Sequence, residues 1–254
     1  MEGPFSRTEL LFGAEALQTL QQSHVAVFGV GGVGGYVVEA LARGGVGALT
    51  LVDNDCVAPS NLNRQIIATV DTIGRAKVEV AAERVHAIAP DCRVTARRMF
   101  FLPETADAFD FAEYDYVVDA IDTVAGKLAL IEACYAAGTP ILCAMGAGNK
   151  TDPTALRVAY LEQTSVDPLA RAMRVQCRKR GLKKVRVVYS TEPPIAPASE
   201  EALAAVRAEN PNRRGVPGSN SFVPPAMGLV LAGEVIKSLI GRGSKKGSND
   251  ETDL

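Results

Sequence analysis

The stretch Val25-Ala26-Val27-Phe28-Gly29-Val30-Gly31-Gly32-Val33-Gly34-Gly35 decides the fold of this chain. Its apolar start is typical of a buried parallel strand, and a helical pattern begins near Tyr36. Glycines between a strand and a helix let the backbone approach an anion, and the first N–H groups of the helix attract negative charge. The stretch therefore predicts a phosphate-binding turn formed by Gly29, Gly31, Gly32 and Gly34.

A second apolar strand, Ala48 to Val52, ends in Asp53, which lies 24 residues after Gly29. Dinucleotide-binding folds place at about this distance a carboxylate that accepts a hydrogen bond from a ribose hydroxyl. The two strands, the glycines and Asp53 together favour a nucleotide-binding α/β fold over a tight turn without a ligand.

The composition is that of an ordinary globular protein of 254 residues, with 47% hydrophobic residues and a net charge of −2. Because the overall charge is slightly acidic, any nucleic-acid site must be a local basic patch. The five cysteines form no CxxC pair, so neither a zinc site nor a disulfide framework is indicated. We expect no signal peptide and no membrane span, and a cytoplasmic location.

Polar residues follow the strands at the edge where open α/β sheets bind ligands. The loop after Asp53 contains Asn61, Arg64 and Gln65. Lys77 begins a predicted helix, where a lysine opposes the helix dipole unless an anion lies close by, so it favours a phosphate partner. Asp122 ends a predicted strand from Tyr116, with the N-cap of the next helix as an alternative role.

The second half of the chain departs from simple β–α alternation. Further strands are predicted at Ala155 to Leu161 and Val185 to Tyr189, with an antiparallel pairing. Between and beside them lies a basic run without a nearby acid, and we interpret it as a polyanion contact rather than a solvated helix face. The run comprises Arg171, Arg174, Arg178, Lys179, Arg180, Lys183, Lys184 and Arg186.

The remaining segments complete the predicted organisation. An ATP-binding region would cover residues 1–150, and residues 151–241 would extend the same domain. A mobile loop is expected at residues 192–218, then a buried helix from Phe222 to Ile240, and a disordered tail at residues 242–254.

These motifs resemble the ubiquitin-activating-enzyme-like (ThiF/MoeB-type) adenylation family over roughly residues 7 to 150. The resemblance is carried by the glycine turn, Asp53, the loop 60–65, the segment 74–79 and the segment 119–122. It implies a Rossmann-like adenylation fold with a mainly parallel sheet, extended by antiparallel strands and a C-terminal helix. It also implies a homodimer, with Arg7 in the place of an arginine that the partner subunit inserts.

The resemblance also implies roles for individual residues. The glycine turn would cradle the phosphates of ATP, and Asp53 would hold the ribose. Arg64, Lys77 and Asp122 would be catalytic, with Asp122 as the ligand of Mg²⁺. The residues that would bind ATP along the loop and the helix start are Asn61, Arg64, Gln65 and Lys77.

Motifs in the second half resemble the tRNA threonylcarbamoyladenosine dehydratase branch of this family. They are the segments 145–154, 164–170, 188–190 and 218–224. The branch implies ATP-dependent activation of the threonine carboxylate of a modified adenosine next to the tRNA anticodon, followed by cyclisation with loss of water. The basic run, from Arg171 to Lys184, would then contact the tRNA.

Two other functions stay open. The first is adenylation of the C-terminus of a ubiquitin-like or sulfur-carrier protein, against which the missing CxxC pairs argue. The second is a nucleotide-sensing scaffold without turnover, against which Arg64, Lys77 and Asp122 argue. The stretch Val185-Arg186-Val187-Val188 contains no cysteine, which argues against a sulfur-relay partner.

Overall fold

The computed structural model describes residues 3–196, 198–201, 204 and 217–241. Within them, seven strands form one sheet and seven α-helices cover it. The strands are β1 (His24–Phe28), β2 (Ala48–Val52), β3 (Arg93–Arg97), β4 (Tyr116–Asp119), β5 (Ile141–Ala144), β6 (Leu156–Tyr160) and β7 (Arg186–Ser190). The helices are α1 (Ser6–Phe12), α2 (Ala14–Gln22), α3 (Gly34–Gly44), α4 (Lys77–Ile88), α5 (Val124–Ala137), α6 (Pro168–Lys179) and α7 (Val223–Leu239).

The sheet has the strand order β3-β2-β1-β4-β5-β7-β6. All neighbouring strands are parallel except β6 and β7, which are antiparallel. The chain winds outward from β1 in one direction and from β4 in the other, so the order reverses between these two strands. Ligands of open α/β sheets bind at the carboxyl ends of the strands beside such a reversal. This geometry puts the glycine turn after β1 next to the loop that follows β4.

Side-chain alternation along β1 builds the two hydrophobic layers. Val25 and Val27 pack in the layer that also holds residues of α3, α4 and α7, whereas Ala26 and Phe28 pack in the opposite layer with α5 and α6. All four side chains are fully buried. Successive residues of a strand face opposite sides of the sheet, so an unbroken apolar run fits a strand covered on both faces.

Helix α7 lies closely against α3 because Gly228 has no side chain. A Cβ atom at Gly228 would lie 2.4 Å from the carbonyl oxygen of Val33 and 2.8 Å from Cβ of Tyr36. Both atoms belong to α3 or its N-cap, so the two helices could not accommodate a larger residue without separating. This contact fixes the C-terminal helix over the start of α3, where the glycine turn ends.

The predicted fold class is confirmed, with differences at the ends of elements. Strand β4 ends at Asp119 rather than at Asp122, and the next helix, α5, begins at Val124. Strands β6 and β7 join the same sheet as β1 to β5. The tail 242–254 and much of the predicted loop, residues 197, 202–203 and 205–216, lie outside the described residues. No helix in the described ranges has the length and apolar character needed to cross a membrane.

Candidate nucleotide-binding site

The glycine turn packs directly on the loop that follows β4. Gly29 has φ of 90°, a conformation that favours glycine, and a Cβ there would lie 2.6 Å from the carbonyl oxygen of Ala120. A Cβ at Gly34 would lie 1.7 Å from the carbonyl oxygen of Gly29. At Gly31 the nearest atom to such a Cβ would be Nε2 of Gln65, at 3.8 Å. Two glycines are therefore required by packing, whereas Gly31 leaves room in front of the backbone.

Asp53 lies beside this turn and bonds to it. Its Oδ2 accepts a hydrogen bond from the backbone N–H of Val30 at 2.7 Å, and its Oδ1 accepts one from Asp55 N–H at 2.9 Å. The carboxylate thus connects the end of β2 to the glycine turn after β1. This is where the sequence predicts a ribose-binding acid, and the backbone bonds are an additional structural role.

The loop after β2 brings Arg64 and Gln65 against the glycine turn. The stem of Arg64 would contact a Cβ at Gly32 at 3.3 Å, and its Nη1 donates to the carbonyl oxygen of Ser60 at 2.8 Å. Gln65 is buried, and its Oε1 has no hydrogen-bond partner among the described residues. Asn61 is buried and uses its Oδ1 to accept from Ala58 N–H at 3.1 Å. A buried acceptor without a partner fits a site that a polar ligand completes.

Lys77 is the first residue of α4 and is only 6% exposed. Its Nζ lies 2.8 Å from Oδ2 of Asp55, whose side chain is 47% exposed. The protein therefore supplies an anion for this lysine itself. The position of Lys77 at a helix start predicts an anion close by, and Asp55, at the same sheet edge, is one such anion. An ammonium has three donors, and the hydrogen bond to Asp55 uses one of them.

Asp122 is exposed and lies between β4 and α5. Thr123 holds the N-cap position of α5, so the alternative role of Asp122 as the N-cap is wrong. In the described part of the chain, no three or more His, Cys, Asp or Glu side chains cluster as a metal site. Mg²⁺ is usually held by one or two carboxylates together with substrate phosphates, and a single carboxylate beside a phosphate cradle fits that pattern.

One buried ion pair beneath the site was not predicted. Lys127 and Asp119 are both 0% exposed, and Nζ of Lys127 lies 3.0 Å from each carboxylate oxygen of Asp119. The same Nζ donates to the carbonyl oxygen of Ala144 at 2.7 Å. The signal in the sequence is a single lysine in the otherwise apolar segment 124–131, five residues after Asp122. Burial raises the pKa of Asp119, and the ammonium of Lys127 opposes that rise.

Several cysteines are buried thiols with raised pKa values. Cys143 on β5 is fully buried, and burial raises its pKa well above the usual range. Burial also raises the pKa of Cys134 to about 12 and that of Cys177 to about 11. Only the thiolate is a good nucleophile, so these side chains stay unreactive thiols at neutral pH.

Helix α6 carries the first part of the basic run. Some cations of the run form hydrogen bonds or ion pairs with residues from other parts of the fold. Arg174 donates to the carbonyl oxygen of Thr164 at 2.9 Å. Arg180 pairs with Glu132 at 3.0 Å, and Arg186 pairs with Glu234 at 2.8 Å. The expectation that no acid balances the run is therefore wrong for Arg180 and Arg186. The cations of the run that have no ion-pair partner in the described ranges are Arg171, Arg174, Arg178, Lys179, Lys183 and Lys184.

The start of α6 lies against the loop that follows β5. Asp167 caps the helix, accepting from Ala170 N–H at 2.7 Å, and is 1% exposed. Its other oxygen would lie 2.7 Å from a Cβ at Gly146, which follows β5. The basic helix therefore begins at the same sheet edge as the glycine turn and runs away from it.

Asn149 joins two distant parts of the chain beside that loop. Its carbonyl oxygen accepts from Ile195 N–H at 2.9 Å, and its own N–H donates to the carbonyl oxygen of Gly218 at 2.8 Å. Its Oδ1 accepts from Gly218 N–H at 2.6 Å. One residue thus holds the chain both before and after the segment 196–217.

The glycine turn at the reversal of strand order, with Asp53, Arg64 and Lys77 around it, defines a nucleotide-binding protein of the adenylating α/β class. The ThiF family matches residues 5–252, and the chain belongs to this family. It is 43% identical over 239 residues to the tRNA threonylcarbamoyladenosine dehydratase of Bacillus subtilis, covering 93% of this chain and 94% of that protein.

The same similarity extends to the enzyme of Escherichia coli and its solved structures. The chain is 38% identical over 256 residues to the tRNA threonylcarbamoyladenosine dehydratase of Escherichia coli, covering 96% of each chain. The crystal structure of that dehydratase in complex with ATP matches with a TM-score of 0.83 at 36% identity, again covering 96% of each chain. The resemblance to the dehydratase branch is therefore confirmed over nearly the whole chain.

Proposed function

We propose that this protein catalyses the ATP-dependent dehydration of threonylcarbamoyladenosine next to the tRNA anticodon to its cyclic form. The observation that carries the proposal is the glycine turn at the strand-order reversal, surrounded by Asp53, Arg64 and Lys77. The similarity of the protein to dehydratases over at least 93% of the chain supports the choice of substrate.

In the proposed site, ATP lies along the glycine turn with its phosphates over Gly31 and Gly32. Asp53 accepts from the ribose, and the unpartnered Oε1 of Gln65 accepts a hydrogen bond from the bound nucleotide or its hydration shell. Arg64 and Lys77 neutralise the β- and γ-phosphates, while Asn61 shapes the loop that carries Arg64. Cations at these positions stabilise the charge that develops on the departing pyrophosphate.

The chemistry then needs no nucleophile from the enzyme. A carboxylate oxygen of the threonyl group attacks the α-phosphorus of ATP and pyrophosphate leaves, which gives an acyl-adenylate. A nucleophilic atom of the same modified nucleoside attacks the acyl carbon, AMP leaves with the former carboxylate oxygen, and one proton is released. The raised pKa values of Cys134, Cys143 and Cys177 fit a reaction in which the enzyme supplies positioning and charge.

Four finer features belong to the same proposal. Asp122 would hold Mg²⁺, which would supply a positive charge that compensates the phosphate oxygens. The protein forms a homodimer in which Arg7 of each subunit reaches the partner's site. It acts in the cytoplasm, where tRNA is available, and residues 1–150 form the ATP-binding region that residues 151–241 extend toward the tRNA.

The tRNA is proposed to contact α6 and the residues after it. Helix α6 begins beside Gly146, at the sheet edge that carries the glycine turn. The exposed cations on and after this helix suit the RNA phosphate backbone. A variant with Arg178, Lys179 and Arg180 all changed to Glu is expected to bind tRNA more weakly and with a flatter dependence on salt. Unchanged binding in a salt titration would show that these cations form a solvated face. The proposed contacts are Arg171, Arg174, Arg178, Lys179, Arg180, Lys183 and Lys184.

Mass spectrometry of nucleosides tests the function directly. tRNA that carries threonylcarbamoyladenosine is incubated with the protein, Mg²⁺ and ATP, with a parallel sample lacking ATP, and is digested under mild conditions. Loss of one water, about 18 Da, only in the sample with ATP supports substrate, reaction and nucleotide together. If the modified nucleoside keeps its mass, the dehydratase proposal is wrong, and pyrophosphate exchange with a Gly-Gly-tailed carrier protein becomes the next assay.

A further inference from the structure

The buried ammonium of Lys127 has a partner for each of its three N–H donors. Two go to the carboxylate oxygens of Asp119, each at 3.0 Å, and one goes to the carbonyl oxygen of Ala144 at 2.7 Å. Asp119 ends β4 and Ala144 ends β5. A single side chain of α5 therefore connects the carboxyl ends of two neighbouring strands.

The pair also holds the backbone that lies against the glycine turn. Oδ1 of Asp119 accepts a hydrogen bond from Ile121 N–H at 3.2 Å. The peptide between Ala120 and Ile121 packs on Gly29, where a Cβ would come within 2.6 Å of the Ala120 oxygen. Asp122 follows directly, and the loop that starts at Met145 follows Ala144. The ion pair thus lies under three loops of the candidate site at once.

A contribution to stability alone explains this arrangement poorly. Burying two charges costs free energy that their attraction repays only in part, and well-packed apolar residues at such places are often as stable or more stable. The rest of this stretch of α5 is apolar, with Leu128, Ala129 and Leu130 all buried. Lys127 bonds to the ends of β4 and β5, and the backbone after β4 packs on the glycine turn, so the lysine is better explained by what it positions than by stability.

We propose that Lys127 is a positioning residue: through Asp119 and Ala144 it fixes the loops after β1, β4 and β5 in the relative arrangement that binds and activates ATP. The inference rests on the proposed nucleotide site and goes beyond it, because Lys127 itself touches neither the nucleotide nor the reacting atoms. Removing the charges of Lys127 and Asp119 is therefore expected to weaken ATP binding, even though both side chains are completely buried.

The test separates positioning from stability with a double variant. Lys127→Met alone leaves the Asp119 carboxylate buried without its cation, so a loss of stability would accompany any loss of function. Asp119→Leu together with Lys127→Met removes both charges and places apolar side chains at both buried positions. The control is Leu130→Ala, which removes apolar volume from the same helix on a side chain that is 0% exposed. Each full-length protein is measured for melting temperature, for the Kd of ATP by calorimetry, and for kcat and KM in the tRNA dehydration assay.

The expected result is a split between stability and function. The double variant melts close to the wild type, yet its Kd for ATP rises at least tenfold and its kcat falls at least tenfold. Leu130→Ala melts lower than the wild type but keeps both constants when assayed well below its melting temperature. If the double variant melts like the wild type and keeps its ATP affinity and kcat, the ion pair is structural and the inference is overturned.

The two proposals can fail separately in this design. A wild-type protein that binds ATP but causes no mass loss in tRNA refutes the dehydratase function. In that case the ATP affinities of the double variant and of Leu130→Ala still decide whether Lys127 positions the site. Should the double variant not fold, an Asp119→Asn variant with Lys127 retained supplies the comparison, since it weakens the same pair and keeps nearly the same volume. An unchanged Kd for ATP in that variant also overturns the inference.

Discussion

Replacing either partner of the Lys77–Asp55 ion pair breaks the same contact but should affect turnover very differently. The pair joins Nζ of Lys77 to Oδ2 of Asp55 at 2.8 Å. Lys77→Ala removes the cation that we place on the ATP phosphates. Asp55→Ala removes only its protein partner and leaves the ammonium at the start of α4. The two variants therefore separate the role of the lysine in catalysis from the role of the pair in folding.

The expected effects on stability are similar and tolerable. An ion pair with one half-exposed partner contributes about 0.2–1 kcal/mol. Lys77→Ala also loses buried methylene groups, at about 0.8 kcal/mol each, so its total cost is about 3 kcal/mol. Asp55→Ala leaves a buried ammonium without its partner, which costs about 1–3 kcal/mol. Both values lie below the 5–15 kcal/mol by which domains are typically stable, so both variants should fold.

The expected effects on turnover differ by orders of magnitude. Loss of one group that stabilises developing charge lowers kcat by about 10²–10³-fold, and we expect this for Lys77→Ala. Asp55→Ala should stay within about tenfold of the wild type, which corresponds to 1.4 kcal/mol in the barrier. The assay is the initial rate of ATP-dependent mass loss from tRNA, with melting temperatures measured in parallel. Equal losses of kcat in both variants, or near-normal turnover in Lys77→Ala, would refute the assigned role.

Three further predictions concern other parts of the molecule. Asp122→Ala should abolish Mg²⁺-dependent turnover with an unchanged melting temperature, because the side chain is exposed; residual turnover above a tenth of the wild-type rate would exclude it as the metal ligand. Gly228→Ala should destabilise the protein by about 1–3 kcal/mol in thermal unfolding, since its Cβ would lie 2.4 Å from the Val33 oxygen. The control is Gly233→Ala on the same helix, whose Cβ meets nothing within 4 Å and should not destabilise the protein. Iodoacetamide at pH 8 should leave Cys143 unmodified in a mass spectrum of the folded protein, because its raised pKa keeps it a thiol well above that pH; rapid alkylation would contradict this.

The strands and the glycine turn could be predicted because their signals are local. An apolar run from Val25 to Phe28 needs only a sheet covered on both faces, and the turn needs glycine wherever another backbone comes within contact distance. The position of Asp53 could also be predicted, because this acid directly follows β2 in the sequence. The signal for each of these features lies in a short stretch of the chain, although the contact that requires Gly29 is made with the distant Ala120.

The partners of the charged residues could not be predicted in the same way. Asp55, which lies 2.8 Å from Lys77, is 22 positions away in the chain, and the partners of Arg180 and Arg186 are each 48 positions away. Which charges meet across a sheet edge depends on helix packing rather than on spacing along the chain. The sequence of the basic run therefore does not show which of its cations are already paired.

The three hydrogen bonds that Asn149 makes to Ile195 and Gly218 affect how this family could change over time. Because one residue holds both ends, a change in the length of the chain between them need not move Asn149 or the two residues bonded to it. Doubling the length of a chain segment that joins two fixed ends costs only about 0.6 kcal/mol. Insertions and deletions should therefore accumulate between residues 196 and 217 in related chains, while the loop that carries Asn149 stays unchanged.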